Sequence, residues 1–404
     1  MRSDFRNVKG TQDFFGDKID RFNFVIETLK KNAKLFNFKE ISTPILEFSN
    51  LFERNIGDGS DIILKEIYKF QDRGGDSLAL RPEFTAGIVR SLIENFELNR
   101  NLPQKLFSYG PVFRYDRPQK GRYRQLHQIN VEMYGNDSYI ADLEIIVFFN
   151  KILSDLGIKN ITLEINSLGS NDCKNRYEKV LFDYFSKYKT DLSEDSKVRL
   201  EKNPLRILDS KENSDKKLLE NVPKIHEFYS TEEKEFYDNI LKGLNYLNIN
   251  YYSNPLLVRG LDYYTSSVFE FTTTDLGSQS AIGGGGRYDN MVEQIGNERI
   301  SAIGFGGGIE RMSLLINKEF EKEKLYVVIP VSDNEIQYAF NIVNKLRTDK
   351  NVEFIYEGKF KKKMEKMNKC GADFAIIIGE DEIKNRQLKI KNLKDGSEKE
   401  FMHI

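Results

Sequence analysis

The sequence predicts an α+β protein built on antiparallel strands with flanking helices, interrupted by a helical insertion and followed by a small α/β domain. Three observations predict it. Apolar runs pair off around short glycine-rich or polar loops at 72–75 and 114–125, as antiparallel hairpins do. From about 170 to 250, Lys, Glu, Asp and Ser dominate while apolar residues return every three or four positions, the helical period. After Lys324, continuous apolar runs alternate with amphipathic stretches, the pattern of strands buried on both faces between helices.

The elements follow in order. Ile19, Phe22, Ile26, Leu29, Ala33 and Phe36 are spaced for one face of a helix over 19–38. Residues 68–80 read as two strands around Asp72-Arg73-Gly74-Gly75, where glycine supplies the positive φ of a tight loop. Runs 105–113 and 126–134 form a second antiparallel pair. Within the polar segment, helices are expected over 177–188 and 232–247. Strands resume at 256–258 and 267–272, followed by glycine clusters at 283–286 and 304–308 that suit bulges or close backbone approach. A charged linker at 319–324 precedes strand 325–331, helix 335–348, strand 352–356, a lysine-rich helix over 359–369, strand 374–379 and a hairpin turning at Asp395-Gly396. No internal repeat is evident.

Composition narrows the function. A chain of 404 residues with 39% hydrophobic content has room for two or three domains. No apolar run approaches the roughly 20 residues of a membrane span, and the amino terminus lacks a signal-peptide core, so the expectation is a cytoplasmic protein with no membrane partner. Two cysteines, Cys173 and Cys370, are too few for a disulfide framework or a cysteine zinc site. The histidines His127, His226 and His403 show no metal-ligand spacing, so no metal site is expected. Lys plus Arg (61) balances Asp plus Glu (62), and any RNA contact must come from a local patch such as Lys359, Lys361, Lys362, Lys363, Lys366 and Lys369.

Arg114, Arg117, Lys120, Arg122 and Arg124 fall within eleven residues, between strands that fix the loop ends. Arginine's planar fork suits bidentate phosphate contacts, and several arginines could hold a triphosphate; a solvated hairpin tip is the alternative. Three further segments bear on this: Arg81-Pro82-Glu83-Phe84-Thr85, Arg259-Gly260-Leu261-Asp262-Tyr263-Tyr264, and Gly304-Phe305-Gly306-Gly307-Gly308-Ile309-Glu310-Arg311. The tetrad Gly283 to Gly286 is no P-loop, because Arg287-Tyr288-Asp289 follows it.

Taken together and in this order, these segments resemble the histidyl-tRNA synthetases over nearly the whole chain. Val8-Lys9-Gly10-Thr11-Gln12-Asp13 resembles the family's opening, Thr43-Pro44-Ile45-Leu46-Glu47 class II motif 1, and Phe113-Arg114 through Gly121-Arg122-Tyr123-Arg124-Gln125 motif 2. Gly304 to Arg311 resembles motif 3, and the Arg259 to Tyr264 and Gly285-Gly286-Arg287-Tyr288-Asp289 blocks resemble the two segments peculiar to the histidine enzymes.

The resemblance implies a six- or seven-stranded antiparallel catalytic core over 1–169 and 251–318, a helical insertion over 170–250, and an anticodon-binding α/β domain over 325–404. It implies an enzyme that joins histidine to ATP and passes it to the histidine tRNA, with magnesium carried on ATP and a homodimer formed through motif 1. Glu83, Thr85 and Gln128 would hold the substrate α-amino group, with Glu132, Tyr263 and Tyr264 around the imidazole. Arg114 and Arg259 would flank the α-phosphate as the catalytic pair, Arg122 and Arg311 would hold pyrophosphate, and Asp116, Gly304 and Gly306 complete the ATP site. The chain departs from the family pattern with Asp116 where glutamate contacts adenine, Leu126 where phenylalanine stacks on it, Phe84 in place of glycine, and Asn130 in place of a small residue. A rival reading is a non-catalytic, synthetase-like regulatory subunit of ATP phosphoribosyltransferase; such proteins typically lack the anticodon domain and the arginine of the Arg259 block, both of which this sequence has.

Overall fold

The computed structural model describes residues 5–56, 65–95, 97, 101–119, 121–277 and 280–402; Lys120 and His403 lie outside them. The chain divides into two compact units, Met1–Lys318 and Glu319–Ile404.

In the first unit the amphipathic run becomes α1 (Asp17–Leu35), which buries Val25, Leu29 and Ala33. There follow β1 (Lys39–Glu40), β2 (Leu46–Phe48), α2 (Ser49–Ile56), the hairpin β3 (Tyr68–Gln71) and β4 (Ser77–Leu80), and α3 (Thr85–Glu94). Then come β5 (Gln104–Phe113), β6 (Gln125–Tyr134), α4 (Tyr139–Asp155) and β7 (Ile161–Ser167). The polar segment folds as α5 (Asn171–Ser186), α6 (Glu194–Lys202), α7 (Asn213–Leu219) and α8 (Thr231–Tyr246), the last opened by a capping box in which Ser230 and Glu233 bond each other's backbone N–H. The unit closes with β8 (Tyr251–Ser253), β9 (Thr265–Thr273), β10 (Ala281–Arg287), α9 (Met291–Gly296), β11 (Ala302–Gly308) and α10 (Ile309–Leu315).

Eight of these strands form one sheet in the order β1-β5-β6-β11-β10-β9-β7-β8. Its centre is antiparallel, and the short edge strands β1 and β8 pair parallel with β5 and β7. The sheet therefore exceeds the six or seven strands expected, because two- and three-residue edges carry too little pattern to read from sequence. Strand β7 was likewise not anticipated. The run 256–258 is not a strand: Pro255 has no N–H to give a ladder, Asn254 Oδ1 turns the chain by accepting from the Leu256 N–H at 3.0 Å, and Asn166 bonds the Leu257 carbonyl at 3.0 Å. Leu257 and Val258 are buried together with Tyr177, Leu181 and Leu205 of the insertion, so insertion and sheet share one core. Behind the sheet, Phe149 of α4 stacks on Phe305 of β11 with centroids 4.3 Å apart.

The second unit holds a five-stranded sheet, β13-β12-β14-β15-β16: β12 (Leu325–Pro330), β13 (Asn351–Phe354), β14 (Phe374–Ile378), β15 (Gln387–Asn392) and β16 (Glu398–Met402). The first three are parallel, as continuously apolar runs predict, and the hairpin β15–β16 adds antiparallel. Its helices are α11 (Ile336–Leu346), α12 (Phe360–Cys370) and the short α13 (Glu380–Asn385), the last not anticipated. Of the six lysines expected as one exposed patch, Lys363 is buried and donates to the Pro330 carbonyl at 3.0 Å, so five face solvent.

Candidate active site

Strand β6 is the floor of the site. Alternate residues of a strand face one way, and Ile129, Val131 and Met133 are buried against the core while Gln128, Asn130 and Glu132 line a cavity of about 140 Å³. Glu83 and Thr85 reach it from the start of α3, Tyr263 and Tyr264 from the segment before β9, and Tyr288 from the end of β10.

At its base Glu132 is buried and receives three donors. The Thr85 hydroxyl and the Asn130 amide give to Oε1 at 2.6 and 2.9 Å, and the Tyr288 hydroxyl gives to Oε2. Burial pushes its carboxyl up to about 7, against the pull of these hydrogen bonds. Gly304 makes room for this carboxylate, since a Cβ there would lie 1.7 Å from Oε2. Glu83 accepts the backbone N–H groups of Thr85 and Ala86 at 2.5 and 2.9 Å, and burial raises its carboxyl as well. The rings of Tyr263 and Tyr264 lie 4.6 Å apart on the facing wall.

A wider cavity of about 500 Å³ shares Arg114, Gln128, Arg259 and Gly306 with the inner one. Arg114 donates Nε to the Pro82 carbonyl at 2.9 Å, and Arg311, at the start of α10, donates to the carbonyls of Gly121 (2.9 Å) and Ala281 (2.5 Å). Burial lowers both guanidiniums, and for Arg311 the neighbouring Arg122 and Arg114 charges add to this. Arg259 pairs with Glu270; burial opposes its charge, but Glu270 and Tyr264 outweigh that and leave its pKa raised. Arg122 pairs with Asp116 and lies 3.6 Å from Glu66.

Two cations of the insertion hold the backbone that presents these groups. Arg206 donates to the Arg259 carbonyl at 2.8 Å, and Lys174 to the carbonyls of Asp262 and Tyr264 at 2.8 and 3.2 Å. Both contacts join residues far apart in sequence, and nothing in the local pattern announced them.

Every described residue to which the resemblance gives a histidine or ATP role lines one of the two cavities, with two changes of emphasis, whereas Arg117 and Arg124 of the candidate triphosphate clamp line neither, Arg124 donating instead to the Asp116 carbonyl at 3.2 Å. Gly304 belongs to the inner cavity beside Glu132 and not to the arginine-lined outer one. Asp116 lines the outer cavity, but its carboxylate is turned to Arg122 and to the Arg117 N–H at 2.6 Å, not held free for a base. Sequence reasoning missed Tyr288 and Asn130 as partners of Glu132. Other charged residues of the motifs serve the scaffold. Arg287 is buried on Asp142, Arg81 donates to the carbonyls of Pro111 and Thr43 at 2.9 Å, and His127 bonds Glu310 at 2.8 Å.

The antiparallel sheet thus carries a small polar pocket that opens into a cavity lined by arginines from a hairpin, a loop, a helix start and the insertion. The family model described as "Histidyl-tRNA synthetase" matches residues 10–312, and the one described as "Anticodon binding domain" matches 326–404. The histidine–tRNA ligase of Wolbachia pipientis wMel is 47% identical over 98% of this chain and 96% of its own length. That of Rickettsia conorii is 45% identical over 98% and 97%. The crystal structure of apo S. aureus histidyl-tRNA synthetase superposes with a TM-score of 0.82 at 30% identity, covering 98% of this chain and 97% of that one. The chain belongs to the histidyl-tRNA synthetase family.

Proposed function

We propose that this chain activates histidine with ATP and transfers it to the 3′ end of the histidine tRNA. The observation that carries the reading is the junction of the two cavities at Arg114 and Arg259. A substrate seated in the inner one would present its carboxylate to a phosphate seated in the outer one.

In the first step a carboxylate oxygen of histidine attacks the α-phosphorus and the bond to the β-phosphate oxygen breaks, releasing pyrophosphate. In the second the ribose 3′-hydroxyl attacks the carbonyl of the mixed anhydride, AMP leaves, and the hydroxyl proton is lost. The protein's part is positioning and charge stabilisation. Glu83, Thr85 and Gln128 hold the ammonium, and Glu132 with Tyr264 and Tyr263 meets the ring. A neutral imidazole carries one donor and one acceptor, so a carboxylate and a phenol satisfy both edges, and a pocket of paired polar groups rejects apolar analogues steeply. Arg114 and Arg259 take the α-phosphate, Arg122 and Arg311 the departing pyrophosphate, and Asp116, Leu126 and Gly306 lie on the nucleotide side.

Among the described residues no group of three or more His, Cys, Asp or Glu is placed to hold a metal ion. Magnesium bound chiefly to the phosphates would fit, since it commonly takes only one or two protein carboxylates there, and Glu66 and Glu270 stand on that wall. It would neutralise phosphate charge. We place catalysis and insertion in 1–318, with anticodon recognition in 325–404. No described helix is long and apolar enough to cross a membrane, in keeping with a cytoplasmic enzyme.

A homodimer through motif 1 is part of the proposal. The registers Leu46↔Leu80, Phe48↔Leu78, Tyr68↔Leu80 and Phe70↔Leu78 put six apolar side chains on one face of the sheet β2-β4-β3. Leu46, Phe48 and Phe70 are 48%, 57% and 43% exposed there. An apolar face of this kind marks an interface. Light scattering of a fully active monomer would remove this part.

Histidine-dependent exchange of pyrophosphate into ATP, run against the other amino acids, tests the whole reading. Exchange with histidine alone is the expected result; histidine binding without exchange would favour the regulatory-subunit reading instead.

A further inference from the structure

Buried polar atoms without a partner are uncommon in folded proteins and each asks for a reason. Among the described residues, two side chains lining the inner cavity carry one: Arg259 at Nε and Asn130 at Oδ1. The first belongs to the proposed phosphate site. The second has no role in the reading above.

Asn130 stands between Gln128 and Glu132 on the cavity face of β6, flanked by Ser108 of β5 and Gly306 of β11. Its amide orientation is determined by its neighbours. Glu132 Oε1 at 2.9 Å and the Phe305 carbonyl at 3.4 Å are both acceptors, so both must face the NH2 group, and the carbonyl oxygen is left on the other side. That oxygen is withdrawn from solvent and unbonded. Meanwhile Glu132, the acceptor expected to receive a ring N–H, already takes three protein donors, out of about four lone-pair positions on a carboxylate. The wall has a nearly saturated carboxylate and, two residues away on the same strand face, an amide oxygen with nothing to accept.

We propose that Asn130 is a specificity-determining residue of the histidine pocket, its Oδ1 accepting a ring N–H of the bound imidazole beside Glu132. The inference rests on the proposed function. Its same amide also holds Glu132 Oε1, so one side chain orients the carboxylate and supplies a second acceptor. Unlike the carboxylate, an amide oxygen keeps its acceptor character at every physiological pH. The resemblance leads one to expect a small residue at this position, which could do neither.

The test compares histidine, triazolylalanine, which keeps a ring N–H, and thiazolylalanine, which has none, in pyrophosphate exchange by the wild type and Asn130→Ala. Thermal unfolding is measured in parallel, and Asn130→Gly is assayed in the same way in case the alanine variant does not fold. The expected result is a loss of about tenfold in kcat/KM for histidine and for triazolylalanine, carried by KM, the size of one neutral hydrogen bond. ATP's KM should hold steady. Thiazolylalanine should lose little, so that the preference for histidine over it shrinks by the same factor. An unchanged preference in a folded variant, with all three amino acids weakened alike, would overturn the proposal and leave Asn130 as a support for Glu132 only. A wild type that exchanges no pyrophosphate with histidine would instead overturn the proposed function.

Discussion

The inner and outer cavities meet the same demand, holding charge away from water, in opposite ways. The inner one surrounds Glu132 with neutral donors, Thr85, Asn130 and Tyr288, and lets burial raise its carboxyl to about 7. The outer one pairs two of its guanidiniums with carboxylates, Arg259 with Glu270 and Arg122 with Asp116. A pocket of preset neutral partners selects by hydrogen-bond pattern, and a missing partner there is costly because nothing replaces it. A pocket of ion pairs holds its cations ready for phosphate but must give up existing contacts to use them.

The sharpest test of the outer cavity is Arg259→His. Negative charge on the α-phosphoryl oxygens is redistributed as phosphorus becomes five-coordinate, so a guanidinium aimed there acts most in the transition state. Histidine retains a polar ring but loses the permanent charge and the fork. Turnover in pyrophosphate exchange is expected to fall on the order of 10²- to 10³-fold, about 3 to 4 kcal/mol, while the KM values for histidine and ATP move much less. If Arg259 only served Glu270 as a structural partner, the variant would unfold at lower temperature and its folded fraction would turn over normally.

The inner cavity is probed by Glu132→Gln. The unfolded carboxyl ionises near the ordinary glutamate value of 4.5 and the folded one near 7. Between those values the folded state holds the extra proton, so stability from this group is present at low pH and is lost as pH rises to 7 and above. The loss is on the order of 3 kcal/mol. Urea unfolding at pH 5 and pH 8 should therefore show the wild type losing more stability than the glutamine variant over that interval, whatever fixed cost the amide brings. Histidine's KM should rise in the variant. Parallel pH dependences would mean that Glu132 is ionised throughout, and the contrast between the cavities would disappear.

The two cavities also differ in how far the sequence discloses them. The outer one was legible where its cations come from compact motifs, the hairpin loop at Arg114 and Arg122, the Arg259 block and the helix start at Arg311, but not where Arg199, Arg206 and Lys211 reach it from the helical insertion. Glycine clusters signalled close strand approach, and Gly285 bears this out, since a Cβ there would lie 1.9 Å from the Gly304 carbonyl. The inner one is assembled from residues far apart, Tyr288 meeting Glu132 across 156 positions and Thr85 across 47, and no local period encodes such pairs. The same limit operated in the fold. Long strands with sustained alternation are legible, whereas edge strands of two and three residues are not, and the apolar run at Leu257 reads as a strand because burial against the insertion mimics the pattern of a sheet.

The smallest expected effect, and the most direct on the pairing of the outer cavity, comes from Asp116→Asn. Asp116 Oδ2 engages Arg122 Nε, and Glu66 stands 3.6 Å from Arg122 Nη2. An ATP phosphate reaching Arg122 must compete with both carboxylates. The resemblance to the family would instead have the carboxylate of Asp116 contact adenine, so the two roles predict opposite signs. Removing a competitor for Arg122 should lower the KM for ATP, whereas removing an adenine contact should raise it. Arg122's side chain is 37% exposed, and an ion pair this open to solvent is worth at most about 1 kcal/mol, which limits the change to about fivefold. Increasing salt should reduce the difference between variant and wild type, because screening weakens the same pairing. A lower KM for ATP whose margin over wild type narrows as salt rises would identify Asp116 as the counter-charge that holds Arg122 in readiness. A higher KM that is indifferent to salt would put Asp116 at the base and leave Arg122 restrained by Glu66 alone.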